Sequence, residues 1–135
     1  DLRAWGNHRV VAAARPDSWE NTKVGGGAVP FRVRVVGADA LPAVYHGVAA
    51  SPPVYSLGAL LLDGHDPSRV IARSREPILR PETPYERSGF FGGVVFTCGL
   101  LAEGGHVRIY YGAADGVTAV GDLTLEDILA GLGEP

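Results

Sequence analysis

Two stretches of this chain repeat one another at a spacing of 65 residues, and that repeat restricts the fold more than any other feature. Gly27 aligns with Gly92, Phe31 with Phe96, Tyr45 with Tyr110, His46 with Tyr111 and Gly47 with Gly112. Around these anchors run short β-branched, aromatic and glycine-rich stretches without helical periodicity, the pattern of antiparallel strands. A repeated antiparallel sheet unit is the signature of a β-propeller blade. Propellers close with roughly four to eight blades, and only about two units are present here. The expected fold is therefore all-β, about two blades of a larger propeller, with a short helix at the C-terminal end.

Element by element, residues 9–14 read as a strand, followed by a turn at Pro16-Asp17-Ser18. The segment from Lys23 to Val36 is glycine-rich and then β-branched, with Pro30 placing a bulge or break. Strands follow at Ala43 to Val48 and Tyr55 to Leu62, then a loop dense in turn formers from Asp63 to Ser68. Val70 to Arg73 reads as an edge strand, and Pro77 to Pro84 as a proline-rich connection. The second unit places strands at Val94 to Cys98, Val107 to Tyr111 and Thr118 to Leu123, with a hairpin turn at Glu103-Gly104-Gly105. Leu125, Ile128, Leu129 and Leu132 then form one apolar helical stripe, with Thr124 and Asp127 in capping-box positions and Gly131 and Gly133 marking the end. This helix is expected to seal the outside of the last blade.

Composition narrows the function classes. The chain has 135 residues, 46% hydrophobic and 20% charged, which is globular and not disordered. A formal net charge of −3 leaves no electrostatic footprint for nucleic acid. Arg69, Arg73, Arg75 and Arg80 fall close together, and this local basic stretch reads as a solvated strand edge. The single cysteine, Cys98, excludes an intrachain disulfide and reads as an inert core thiol, which fits a reducing, cytoplasmic setting. No apolar run reaches the roughly 18 residues of a membrane span, and no signal-type segment opens the chain. Methionine is absent and the first residue is Asp1, which reads as an internal start or as processing from something longer.

Three stretches carry candidate chemistry. In Lys23-Val24-Gly25-Gly26-Gly27, glycines admit close backbone approach and the lysine supplies a point charge suited to phosphate. The Walker spacing is absent, so spacing alone favours a glycine bulge with a solvated lysine. In Val44-Tyr45-His46-Gly47-Val48, Tyr45 and His46 point to opposite faces of a strand, and no second histidine stands at metal-ligand spacing. In Tyr110-Tyr111-Gly112-Ala113-Ala114-Asp115, an aromatic face and a carboxylate match what a sugar needs, stacking and hydroxyl acceptance. Because Tyr111 repeats His46, the two should occupy equivalent positions. Neither a carboxylate pair of glycosidase type nor a serine triad is visible, so no catalytic residue is assigned within the chain.

At these residues the chain resembles glycoside hydrolase family 130, the mannoside phosphorylases and related β-mannosidases. The resemblance is carried by Trp19 to Gly27, Tyr45 to Val48, Tyr55 to Asp63, Arg73 to Leu79, Pro81 to Gly89, Val94 to Gly99 and Arg108 to Asp115, in the family's order. It implies a five-bladed propeller of which residues 1–135 are the C-terminal portion, the N-terminal blades lying outside the chain. It implies an inverting phosphorolysis that transfers a mannosyl group from a β-linked mannoside to inorganic phosphate, giving mannose 1-phosphate. Phosphate is then a co-substrate, with no other cofactor and no metal. By the same resemblance Lys23 and His46 contact phosphate and Asp115 binds the mannosyl unit; Tyr111 joins it as a substrate contact on the strength of its aromatic face alone. The family's catalytic aspartate lies in the N-terminal half, outside these residues. Gly92-Gly93 stand where the family often reads Pro-Asn, which removes a polar contact.

The alternatives are a β-mannosidase portion that uses water, and a noncatalytic propeller piece serving binding or assembly. The partners expected are a β-mannoside oligosaccharide, phosphate, and either the N-terminal half of the propeller or a symmetry mate, because uncovered sheet edges seek partners. Nucleic acid and membrane are not among them.

Overall fold

The structure, a computed structural model, describes residues 3–133. In chain order its strands are β1 (Lys23–Gly25), β2 (Val33–Val35), β3 (Ala38–Ala49), β4 (Val54–Asp63), β5 (Val70–Ser74), β6 (Val95–Glu103), β7 (His106–Ala113), β8 (Val117–Thr124) and β9 (Leu132–Gly133). Two short helices, α1 (Pro84–Arg87) and α2 (Leu125–Ala130), complete the elements. The strands form two antiparallel sheets. One runs β1-β3-β4-β5-β9 with β2 also on β3, and the other runs β6-β7-β8. The chain is thus mostly strand, as the repeat predicts. No helix among the described residues is long and apolar enough to cross a membrane.

The two sheets differ in how much water they meet, and the sequence pattern follows. β3 and β4 are covered on both faces and read as near-continuous apolar runs, Ala43 to Val48 and Leu57 to Leu62. Val44, Leu57 and Ala59 face the second sheet, while Ala43, Tyr45, Leu60 and Leu62 face the other way onto Trp19 and Ala12. β7 is covered on one face only and alternates strictly, with Val107, Ile109 and Tyr111 buried and Arg108 and Tyr110 outward. The core between the sheets joins Val44, Leu57 and Ala59 to Val95, Val107, Ile109, Tyr111 and Ala113. The repeat partners Val44 and Ile109 therefore share one core.

Turn chemistry sets the second sheet's register. Glu103 pairs with His106, leaving Gly104 and Gly105 as a two-residue loop at φ 57° and 83°. Positive φ at both central residues is the type I′ requirement, and its twist matches the flanking strands. A bulge between Thr97 and Gly99 leaves Cys98 unpaired and turns its thiol outward. Cys98 is exposed, and the expected core thiol is corrected.

Other expectations also change. Residues 9–14 form no strand, since no neighbouring strand offers them a ladder. Val70 to Arg73 is not an edge, because β9 pairs with β5 at Arg73↔Gly133 and Ser74↔Leu132. The helix α2 is capped as expected, Thr124 Oγ1 accepting from the Asp127 N–H at 3.0 Å. It does not seal an outer face. Ile128 enters the core between the sheets, and the chain then returns to the first sheet as β9, so α2 ties the two sheets together. The proline-rich connection contains the helix α1, with Pro84 in its first turn and the Thr83 N–H donating to Glu86 Oε2 at 2.8 Å.

The basic stretch was expected at a solvated edge, but Arg73 is buried. It joins a polar network around Glu20, whose side chain is fully shielded from water. Arg15 Nε donates to Glu20 Oε1 at 2.6 Å, and the Arg73 guanidinium lies 2.8 Å from the same oxygen. Arg73 also donates to the Tyr45 hydroxyl at 3.1 Å and to the Ala13 carbonyl at 2.9 Å, while Arg15 reaches the Ser74 carbonyl at 2.8 Å. Burial is the main force raising the Tyr45 phenol to about 12, with Glu20 adding to it and Arg73 opposing. These bonds bind the strandless N-terminal segment to β3 and β5. Removing the carboxylate alone, as in Glu20→Ala, leaves buried cationic charge uncompensated and should cost about 3–5 kcal/mol. The paired replacement Glu20→Leu with Arg73→Met should cost less than either single change, and urea unfolding of the four proteins checks this.

Candidate functional site

The candidate site starts from the pairing of β1 with β3. Lys23 lies opposite Val48 and Gly25 opposite His46. Cross-strand partners share a face, so Lys23 and His46 project from one side of the sheet. The same side meets Phe96 on β6, whose ring centroid lies 4.5 Å from that of His46. Tyr55 on β4 stacks beside them, 6.1 Å from the His46 ring, and the Lys23 ammonium sits 5.6 Å from the Tyr55 centroid. Lys23, Tyr55, Phe91, Val94, Phe96 and Asp115 enclose an open cleft of about 350 Å³.

Gly25 explains why a histidine fits here. A Cβ at Gly25 would stand 2.6 Å from His46 Nε2 and closer still to Cε1. The imidazole thus lies directly on the backbone of β1, held on its other side by Phe96. Its Nδ1 is 2.9 Å from the Gly26 carbonyl oxygen. Burial pushes the His46 pKa down from 6.5; the Gly26 carbonyl pulls it back and the Lys23 charge pushes it down further. The net shift favours the neutral ring. The glycine run therefore makes room for a histidine, a role that spacing alone did not show.

Asp115 reaches the cleft from the loop between β7 and β8. Ala114 and Asp115 both take left-handed backbone, at φ 47° and 50°. That conformation costs about 1–2 kcal/mol for a residue with a Cβ, less for Asp than for Ala. Two bonds hold it: the Ala114 N–H donates to the Val94 carbonyl at 2.9 Å, and the Phe91 N–H donates to the Ala114 carbonyl at 3.0 Å. The loop that carries Phe91 into the cleft thus also fixes the turn that presents the carboxylate.

Tyr111 is placed elsewhere. It is 4% exposed and its hydroxyl donates to Glu86 Oε1 at 2.7 Å, so it does not line the cleft. Glu86 is itself buried. Burial pushes its carboxyl upward, but the N–H groups of Thr83 and Glu82 and the Tyr111 hydroxyl outweigh that and hold it below 4.5. The Glu86 carbonyl accepts from the N–H groups of Gly93 and Val94 at 3.0 and 3.2 Å. Tyr111 therefore anchors α1 and, through it, the Phe91-bearing loop.

Of the four residues singled out in the sequence, Lys23 and Asp115 line the cleft, His46 packs against its walls, and Tyr111 supports it from inside. Sequence reasoning missed Tyr55, Phe91, Phe96 and Glu86. Phe96 carried a signal as the repeat partner of Phe31, and Glu86 as the third residue after Thr83 in a capping box. Among the described residues no three His, Cys, Asp or Glu side chains gather as a metal site. A larger apolar groove of about 490 Å³ lies over the other side of the glycine run, with Arg9 and Tyr45 as its ionisable lining, and offers less chemistry than the cleft. The cleft combines a cation, a carboxylate and three aromatic rings, with an imidazole packed against its wall, an arrangement suited to an oxyanion and a sugar side by side.

Comparison with known proteins shows the family. A family model for glycoside hydrolase family 130, described as β-1,4-mannooligosaccharide phosphorylase, matches residues 1–134. A β-1,2-mannobiose phosphorylase of Listeria innocua is 42% identical over 129 residues, covering 96% of this chain and 35% of its own. The solved structure of a Listeria innocua β-1,2-mannobiose phosphorylase in complex with β-1,2-mannobiose superposes with a TM-score of 0.86 at 42% identity, over 96% of this chain and 35% of that one. A structure from work on family 130 glycoside hydrolases that target β-1,2 mannosidic linkages in Candida mannan superposes at 0.71 with 26% identity, over 87% and 34%. The chain spans about a third of the length of the relatives it matches.

Two substitutions test this construction. Gly25→Ala should cost about 1–3 kcal/mol by driving a methyl group into the imidazole, and His46→Ala in the same chain should relieve most of that cost in thermal or urea unfolding. Tyr111→Phe should cost about 1–3 kcal/mol at neutral pH, because it strips a donor from a buried carboxylate. Glu86 titrates lower in the folded state, so its stabilisation is complete above 4.5 and is lost as pH falls through the depressed value. Stability–pH curves of wild type and Tyr111→Phe should therefore converge on acidification.

Proposed function

The chain belongs to glycoside hydrolase family 130, and from that premise we propose that it is the C-terminal portion of an inverting β-mannoside phosphorylase. Its two sheets serve as about two blades of a five-bladed propeller, closed by N-terminal blades outside these residues. Phosphate attacks the anomeric carbon of the mannosyl unit from the face opposite the glycosidic oxygen. The bond to that oxygen breaks, and mannose 1-phosphate is released with the shortened acceptor. An acid must protonate the leaving oxygen, and the described residues of this chain offer none at the cleft beyond Asp115. The acid therefore comes from outside it, as the family resemblance implies.

The observation that carries this reading is the convergence of Lys23 and His46 on one face of the β1–β3 pair, beside a cleft that also holds Asp115. An anionic nucleophile needs charge-assisted donors to hold it in line with the reacting carbon. Lys23 supplies the positive charge and His46 a second polar contact. Asp115 accepts hydroxyl hydrogen bonds from the mannosyl unit, and Tyr55, Phe91 and Phe96 supply apolar faces for its ring. Tyr111 acts on the mannosyl unit indirectly, through Glu86 and the Phe91 loop.

Phosphorolysis is favoured over hydrolysis because the phosphate-contacting pair Lys23 and His46 is intact, and because the phosphorylase is 42% identical where the hydrolase-associated structure is 26% identical. In the full-length protein, Lys23→Ala should raise the KM for phosphate at least about tenfold while changing the KM for β-mannoside by less than about twofold. Equal losses for both substrates would remove the assigned role. Release of free mannose without phosphate dependence would place the protein with the mannosidases.

A further inference from the structure

The anion site proposed above has a histidine whose proton is placed by the backbone. The Gly26 carbonyl oxygen can only accept, so the His46 Nδ1 at 2.9 Å must carry the hydrogen. A ring flip would exchange that bond for a carbon–oxygen contact, and the ring has little room to move between Gly25 and Phe96. With Nδ1 protonated, Nε2 in the neutral ring is a bare lone pair. It makes no hydrogen bond to any described residue. Lys23 on β1 is the charge beside the ring, Tyr55 on β4 is a neighbouring phenol, and Asp115 stands across the cleft. Burial and Lys23 both oppose a second proton on the imidazole.

We propose that His46 acts in this site as a hydrogen-bond acceptor, so that the site selects an oxyanion that carries a proton, phosphate or arsenate, over sulfate. This rests on the phosphate-site reading and adds what that reading leaves open, the direction of the His46 contact. Near neutral pH phosphate retains at least one P–O–H, which can donate to Nε2 while Lys23 neutralises its charged oxygens. Sulfate has the same shape and no proton. Its oxygens would meet a lone pair on a part-buried ring and leave that acceptor unsatisfied, a mismatch that costs at least about tenfold in affinity. A cationic histidine would give the opposite result, binding both anions alike.

The test uses the full-length protein with 15N-labelled histidine. At pH 7.5 the two-bond 1H–15N spectrum should show His46 with a protonated Nδ1 and an unprotonated Nε2. Titration with inorganic phosphate should move the Nε2 signal, and sulfate should need at least about tenfold higher concentration. Sulfate should compete progressively better as pH is lowered below 6.5, where the ring begins to gain its second proton. The variant His46→Gln, whose amide can donate as well as accept, should narrow the phosphate-to-sulfate preference to within a few-fold. An Nε2–H tautomer or a doubly protonated ring at pH 7.5 would overturn the proposal. Equal binding of sulfate and phosphate to the wild type would overturn it while leaving the phosphate site standing. A His46 spectrum indifferent to phosphate would remove both.

Discussion

A carboxylate shut away from water keeps its charge only with cations beside it, and the first sheet is assembled around such a group. Glu20 lies between Arg15 and Arg73, and through them reaches Tyr45 on β3, Ser74 on β5 and the carbonyl of Ala13. These bonds give a strandless N-terminal segment a fixed path over the sheet. They also set where β1 begins, since Lys23 follows Glu20 by three residues. The face that carries Lys23 and His46 thus inherits its position from an ion cluster on the opposite side of the same sheet.

The second sheet contributes by a different kind of order. It has one dry face, so alternation fixes its register, and the diglycine turn of β6–β7 sets its twist. The loop from α1 then connects this sheet to the cleft. Glu86 accepts from Tyr111 with its side chain and from Gly93 and Val94 with its carbonyl, so one buried residue governs both the helix and the strand entry that follows. The aromatic wall and the strained Asp115 turn are held by the same few bonds.

Much of the fold was legible because its signals are local. β3, β4, β7, β8 and α2 are declared by runs, alternation, turn glycines and a cap, and each lies within a few residues of its expected bounds. The misses share a cause, which is that they depend on partners far away in the chain. Residues 9–14 have strand-like composition but no ladder to join. Arg73 looks solvated until Glu20, 53 positions earlier, is brought against it. Tyr111 looks like a ligand contact until Glu86 is found beneath it. Lys23, His46 and Asp115 were legible as residue types, whereas the aromatic residues around them became visible only when three separate strands and a loop met.

The contact between Gly25 and His46 has a consequence for how this protein can change over time. The imidazole occupies the volume that any side chain at position 25 would need. The two positions therefore vary as one trait. A lineage that keeps the histidine is bound to glycine opposite it, and a lineage that gives up the histidine is released from that glycine. Along a set of related chains, the side chain at position 25 becomes a record of whether the histidine opposite it has been kept.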